Sequence, residues 1–262
     1  MRTALALASV LSATTALAQD AGPEADWEVL RDAAKDSTFA FVTFDSGLTV
    51  ATRCIDGSYS ALIKGLPEAP RRQDTRILRI SVGDEEYDEM RWNVTTDRTA
   101  AVADLPAPFA RDLRKGGRLQ IVVPDGAGPG RNLRYDLALP PSNTAVDETL
   151  TACNRPLVDA RDNDVEVIGE NGLPANITWA TPPRPAYPRQ SRYAAGLAVA
   201  TCMAQPDGRL TDCVIEMEHP DDGLFGDAVL RAMPRARIRS DVEAEGRIEP
   251  RLMAFRVIFK MR

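Results

Sequence analysis

Near the C-terminus, two cysteines flank a turn inside an alternating apolar pattern. The segment reads AVATCMAQPDGRLTDCVIEME, with Cys202 and Cys213 on either side of Pro206-Asp207-Gly208. Proline presets the backbone for a turn and glycine permits positive φ, so this segment is predicted to form a β-hairpin. Counting outward from a two-residue loop places the cysteines opposite each other, where a disulfide can close. A bulged turn would shift that register by one residue, and a buried pair of thiols is the alternative to a bond.

Residues 1–18 have the composition of a secretory signal peptide. Arg2 precedes an apolar run, and small residues end in Ala16-Leu17-Ala18. Because the apolar run is shorter than the roughly 20 residues needed to cross a bilayer, we predict cleavage after Ala18 rather than a membrane anchor. The chain is therefore expected in the periplasm, an oxidising compartment in which disulfides persist.

The two remaining cysteines are assigned by elimination. Four cysteines in an exported chain permit three connectivities. If Cys202 bonds to Cys213, then Cys54 pairs with Cys153, and two free thiols are the alternative. The second bond would join an early strand of the N-terminal half to its last helix.

The composition excludes several classes of function. A net charge of −6 with 6% aromatic residues disfavours nucleic-acid binding. The single histidine, His219, and the absence of Cys-x-x-Cys give no metal motif, and no nucleophile set or phosphate-binding loop occurs. We therefore expect neither an enzyme nor a cofactor or metal site.

The chain divides into two blocks of the α+β class. Residues 19–158 are predicted to form an all-β, sandwich-like domain, since short strand-like runs alternate with Gly and Pro turns. Residues 159–175 are polar and aperiodic, which indicates a linker. In the first block we predict strands at 38–43, 48–53, 60–64, 76–82, 89–94, 118–123 and 133–139, and helical patches at 109–113 and 142–152.

The second block, residues 176–262, has the order β-β-α-β. Strands are predicted at Leu197–Ala204 and Leu210–Glu218, followed by an apolar helical stripe over Leu224–Ala232 that Pro234 closes. The last run, Leu252–Met261, alternates as a strand. Met253, Phe255, Val257, Phe259 and Met261 are predicted on the face beneath the helix, with Arg256 and Lys260 on the other face. An antiparallel sheet with one helix on one face is the simplest packing of these elements.

Two resemblances follow from the motifs and their order. The second block resembles the C-terminal domain of the TonB family over residues 182–262, in a chain with a cleavable leader where TonB has a membrane helix. The matching motifs are Pro185-Ala-Tyr-Pro188, Gly196, Asp207-Gly208-Arg209, Arg235–Arg239 and Val257–Met261. The first block is similar to periplasmic modules of the invasion-associated locus B type at Gly117–Ile121, Tyr135–Ser142 and Leu150–Cys153.

The TonB resemblance implies a non-catalytic binding function. In such a domain an extended segment of an envelope protein or outer-membrane receptor adds as a strand to an exposed sheet edge, which also implies a link to energy-dependent transport. The predicted partner-binding residues are Arg251, Met253, Phe255, Arg256, Val257, Ile258 and Lys260. The alternative is a structural or assembly module that forms a homodimer through this domain and recognises its ligand with the first. The edge would then be covered, as edge strands usually are.

Overall fold

A computed structural model of the chain describes residues 26–163, 168–169, 172–242 and 247–261. The predicted signal peptide lies outside these residues. Within them the chain forms fourteen strands and three α-helices, and every strand pairing is antiparallel. None of the helices in this part of the chain has the length and apolar character required to cross a membrane.

The first block contains nine strands and two helices. Their bounds are β1 Glu28–Asp32, β2 Ser37–Thr43, β3 Thr49–Ile55, β4 Ser58–Lys64, β5 Thr75–Val82, β6 Asp88–Val94, β7 Ala100–Ala103, α1 Pro106–Leu113, β8 Arg118–Val123, β9 Leu133–Ala138 and α2 Thr144–Ala152.

These nine strands form one hydrogen-bonded sheet in the order β1-β2-β3-β4-β7-β6-β5-β8-β9. The result differs from the two separate sheets of a sandwich, because β7 bridges β4 and β6 and so joins the two halves. The predicted strands are present, but β1 and β7 were not predicted. Residues Ala100–Ala103 are short and wholly buried, so they lack the alternation that marks a strand in sequence.

The core of the first block lies between the sheet and its two helices. Trp92 of β6 is fully buried and packs edge-to-face on Phe109 of α1, with ring centroids 5.1 Å apart. The predicted bond between Cys54 and Cys153 is present. It ties the end of β3 to the end of α2 and thereby holds that helix against the sheet.

The second block contains a three-stranded and a two-stranded sheet. Its elements are β10 Ile177–Thr181, β11 Ala195–Ala204, β12 Leu210–His219, α3 Phe225–Ala232, β13 Arg237–Ser240 and β14 Arg251–Lys260. The larger sheet has the order β12-β11-β14, and β10 pairs with β13. The predicted β-β-α-β order is present as β11, β12, α3 and β14, whereas the short strands β10 and β13 were not predicted.

The hairpin of β11 and β12 adopts the bulged turn that was the alternative prediction from the sequence, and it still closes its disulfide. The turn is one residue out of the predicted register, with Ala204 opposite Leu210. A β-bulge on β12, opposite Thr201–Met203 of β11, restores the register, and Asp212 in this bulge adopts positive φ. Cys202 therefore still bonds to Cys213.

The core of the second block is built from α3 and one face of the sheet. Phe225 at the start of α3 packs on Phe259 of β14, with ring centroids 4.8 Å apart. Gly196 of β11 lies beneath this pair, and a Cβ at that position would come within 2.0 Å of the Phe225 ring. The glycine of the sequence motif is thus required by close packing of the helix on the strand.

The opposite face of the three-stranded sheet packs against the outer face of the first block. Val199 of β11, Met217 of β12 and Ala254 of β14 share one buried cluster with Val102 of β7 and with Ile168. The two blocks are therefore in apolar contact, and the sheet of the second block is covered on both faces along much of its length.

The junction between the blocks is ordered by ion pairs where the sequence predicted a linker. Arg111 of α1, only 8% exposed at its side chain, donates to both carboxylate oxygens of Asp162 and lies 3.9 Å from Asp159. Asp159 also accepts hydrogen bonds from Arg161. These bonds fix the chain as it leaves the first block.

Asp159 makes the free energy of unfolding depend on pH. Its hydrogen bonds with Arg161 lower the pKa of Asp159 to about 2 from 3.8. A depressed carboxyl pKa stabilises the fold above the unfolded pKa, and this contribution is lost as pH falls from about 5 to about 2. We expect Asp159→Asn to lower the free energy of unfolding by about 1 to 2 kcal/mol at pH 7.

Urea titrations of the wild type and the Asp159→Asn variant between pH 7 and pH 2 measure this effect. The two stability curves should approach each other toward pH 2, because the wild-type carboxylate becomes protonated as pH falls to its pKa of about 2. A difference that stays constant across the range would contradict the pKa assignment.

Candidate functional site

The candidate site is the outer edge of β14, the last strand of the three-stranded sheet. β14 pairs with β11 over ten consecutive residues without a register shift. Among the described residues no strand pairs with its other side. A regular edge of this length presents a row of backbone hydrogen-bonding groups that a further strand can use.

The hydrogen bonds show which backbone groups of β14 point outward. The N–H of Met261 donates to Ala194 at 2.8 Å, in the ladder with β11, so the odd-numbered residues pair inward. The N–H of Arg256 instead donates outward to the carbonyl of Gly172 at 3.0 Å. The outward N–H and C=O groups therefore belong to the even-numbered residues.

The first half of the edge is covered. Gly172 sits so close to β14 that a Cβ on it would lie 2.6 Å from the Arg256 carbonyl oxygen, and its φ is +78°. Both observations require glycine at this position. Further back along β14, Leu252 and Ala254 are buried. A strand approaching this half would meet Gly172 at Arg256.

The second half of the edge is uncovered. The side chain of Ile258 is 62% exposed, and Lys260 is also exposed. Within the described ranges, the outward backbone groups of these two residues have no hydrogen-bond partner. We call the N–H and C=O groups of Ile258 and Lys260 that face away from β11 the open edge.

The opposite edge of the same sheet is poorly suited to strand addition. The register of β12 on β11 shifts twice, between Val199 and Ala200 and again near the disulfide. The Arg155 guanidinium also donates to the carbonyl of Ile215 at 2.5 Å. Bulges and a side chain bonded to the backbone are common protections of an edge strand, so β14 is the better candidate.

The seven residues that the sequence singled out for partner binding fall into four environments. Met253 and Phe255 are fully buried in the second core, and Val257 packs partly against it. Arg251 is half-buried at the start of the strand. Only Ile258 and Lys260 expose both side chain and outward backbone.

Arg256, the seventh of these residues, points into the contact between the two blocks. Its guanidinium lies 3.3 Å from the Asp104 carboxylate and donates to the side chain of Asn93. Both charged side chains are nearly inaccessible, at 5% and 6% exposure. Burial raises the pKa of Asp104 and lowers that of Arg256, while their mutual attraction opposes both shifts.

A surface hollow lies beside the open edge. It has a volume of about 550 Å³. It is lined by Tyr187, Pro188, Arg189, Ser191, Lys260 and Met261. The Tyr187 ring contacts Phe225 and Phe259 edge-to-face, with centroids 5.8 and 6.1 Å away, so the core fixes this wall. The Pro-Ala-Tyr-Pro motif thus places an aromatic anchor next to the edge.

The described residues include no group of three or more His, Cys, Asp or Glu side chains placed to hold a metal ion. The candidate site therefore consists of backbone groups, apolar surface and basic side chains. This arrangement supports peptide recognition by hydrogen bonding and packing.

Comparison with known proteins gives limited similarity. No family model matches the chain, and no curated protein matches it. Among solved structures, the chain is similar to the TonB C-terminal domain of Pseudomonas aeruginosa, determined by solution NMR. The match has 26% identity and covers 34% of this chain and 89% of that one, with a TM-score of 0.28. At that TM-score the similarity does not by itself assign a function.

Proposed function

We propose that this chain is an exported, non-catalytic periplasmic protein that binds an extended segment of an envelope or outer-membrane partner by β-strand addition. The open edge at Ile258 and Lys260 is the observation that carries the proposal. Strand addition uses main-chain hydrogen bonds for affinity and side-chain contacts for specificity, so it requires no catalytic residue or cofactor. The two disulfides support export, since such bonds persist in oxidising compartments.

The covered half of β14 limits the length of the added strand. A partner can pair with Ile258 and Lys260, but at Arg256 it meets Gly172, which already accepts the outward N–H. The bound segment is therefore short. A link to energy-dependent transport is part of the proposal through the TonB-like motifs of the sequence.

Ile258→Pro tests the proposal with little disturbance of the fold. Proline removes the outward N–H of residue 258, which the ladder with β11 does not use, and proline is tolerated at such positions on edge strands. Peptides of about ten residues, selected from a random phage-displayed library on the full chain, serve as probes because strands have this length. We expect Ile258→Pro to weaken their binding by about tenfold or more, since a hydrogen bond is lost and the ring obstructs the approaching strand.

Arg134→Pro is the matched control. Arg134 lies on β9, the edge strand of the first sheet, and its N–H also points away from its neighbouring strand. Peptide binding should be unchanged in this variant. In the wild type, bound peptide should slow hydrogen exchange at the amides of Ile258 and Lys260. Selected peptides that bind Ile258→Pro equally well, or a selection that enriches none, would overturn the proposal.

Dimerisation through the same edge is the second candidate, because two copies of an unprotected strand can pair with each other. Light scattering over a range of concentrations distinguishes the two. A tight dimer that dissociates in Ile258→Pro would favour an assembly module, with recognition by the first block.

A further inference from the structure

We propose that the segment added at the open edge is acidic, with carboxylates that meet Arg189 and Lys260. This inference rests on the proposed function and adds the chemistry of its partner. The hollow beside the edge contains two basic side chains and no acidic one. Lys260 belongs both to the open edge and to the lining of this hollow, so a peptide that pairs with Lys260 lies next to it.

The two cations beside the edge are left uncompensated. Arg189 and Lys260 are both exposed, and neither forms an ion pair within the part of the chain that the structure describes. Two nearby arginines, by contrast, have acidic partners. Arg192 is bonded to Asp222 at 2.6 Å, and Arg256 is paired with Asp104.

The negative net charge of the chain makes these two unpaired cations a stronger indication of an acidic partner. The chain has a net charge of −6, so carboxylates are available to neutralise most cations, and many arginines are paired. Two unpaired cations at the uncovered end of β14 are the complement of a negatively charged partner. Lysine and arginine there would repel a basic segment.

The exposed apolar residues of the same region indicate which further residues the bound segment should contain. Ile258 and Met261 are 62% and 60% exposed, and Tyr187 forms a fixed wall of the hollow. Side chains of an added strand alternate between the two faces of the sheet. A segment that combines apolar residues near Ile258 with carboxylates near the strand end fits both features.

The test uses three synthetic peptides of about eight residues, a usual strand length, with one shared β-forming core. Two positions near one end carry glutamate, glutamine or lysine. Binding to the full chain is measured by fluorescence anisotropy at low and at physiological salt. We expect the glutamate peptide to bind roughly threefold to tenfold more tightly than the glutamine peptide, as exposed ion pairs allow, and the lysine peptide to bind most weakly.

The double variant Arg189→Gln with Lys260→Gln should abolish this preference, and salt should reduce it. Arg192→Gln is the matched control, because Arg192 is also exposed and already has an acidic partner. It should leave the difference between the peptides unchanged.

The outcomes separate this inference from the function on which it rests. If all three peptides bind equally and all lose binding in Ile258→Pro, the acidic preference is wrong while strand addition stands. If the glutamate preference persists in the double variant, the carboxylates are recognised elsewhere and the inference is also wrong. If no peptide binds, both the inference and the proposed function are overturned.

Discussion

Asp104→Ala is expected to lower the free energy of unfolding by about 3 to 5 kcal/mol, because it leaves a buried guanidinium without its counter-charge. Asp104 follows β7 in the first block, and Arg256 lies on β14 in the second, 152 residues later. Their side chains are 6% and 5% exposed. Water cannot replace the lost partner at such burial, so nearly the full cost of an unpaired charge should be measured.

The double variant Asp104→Leu with Arg256→Met tests whether charge is the cause. Replacing both members of a buried pair by apolar residues is often close to neutral. Most of the stability should return, less a cost of about 1 to 3 kcal/mol for Asn93, whose side chain bonds to both partners.

Asp136→Ala provides the surface comparison for this experiment. Asp136 pairs with Arg118 on the exterior of the first sheet, where the side chains are 48% and 61% exposed. Exposed ion pairs of this kind contribute little to stability, because water and salt screen them, so Asp136→Ala should be close to neutral. Urea denaturation measures all three variants. An Asp104→Ala variant as stable as Asp136→Ala would show that water or another group reaches Arg256.

The Arg256 pair also shows where sequence reasoning about the site ends. Alternation along β14 correctly predicted that Met253, Phe255 and Phe259 face the helix, because a strand has a period of two. The same alternation placed Arg256 and Lys260 together on the other face. It could not distinguish them, since the burial of Arg256 depends on Asp104 and Asn93, which are remote in sequence.

For the fold as well, the sequence predicted the local elements but not the contacts between residues remote in sequence. Turn residues and apolar periodicity located most strands and all three helices, since these signals are local. The order of strands in the nine-stranded sheet was not predictable, because β7 is a short buried strand without a periodic signal. For the hairpin of Cys202 and Cys213, the disulfide was predicted and the bulged turn was one of the predicted alternatives. The compensating bulge at Asp212 was not predicted.

Removing the crosslink between Cys54 and Cys153 should have the second large effect. The two cysteines are 99 residues apart, so their bond closes a loop that includes most of the first block. In the chain-entropy model, a loop of about 100 residues gives about 4.7 kcal/mol of stabilisation. We therefore expect the paired substitution Cys54→Ala with Cys153→Ala to lower the free energy of unfolding by about 4 to 5 kcal/mol. Alanine is chosen because both sites are buried and a serine hydroxyl would lack a partner.

The corresponding Cys202→Ala and Cys213→Ala pair supplies the internal comparison. That bond spans 11 residues, and its loss should cost about 3 kcal/mol or less in the same model. Because it lies between β11 and β12, on the side of the sheet away from the open edge, peptide binding should survive it wherever the domain stays folded. Urea denaturation of both variants orders the two costs. If the short crosslink is the more costly, loop entropy is not the main contribution, and the bulged hairpin itself depends on its sulfur bridge.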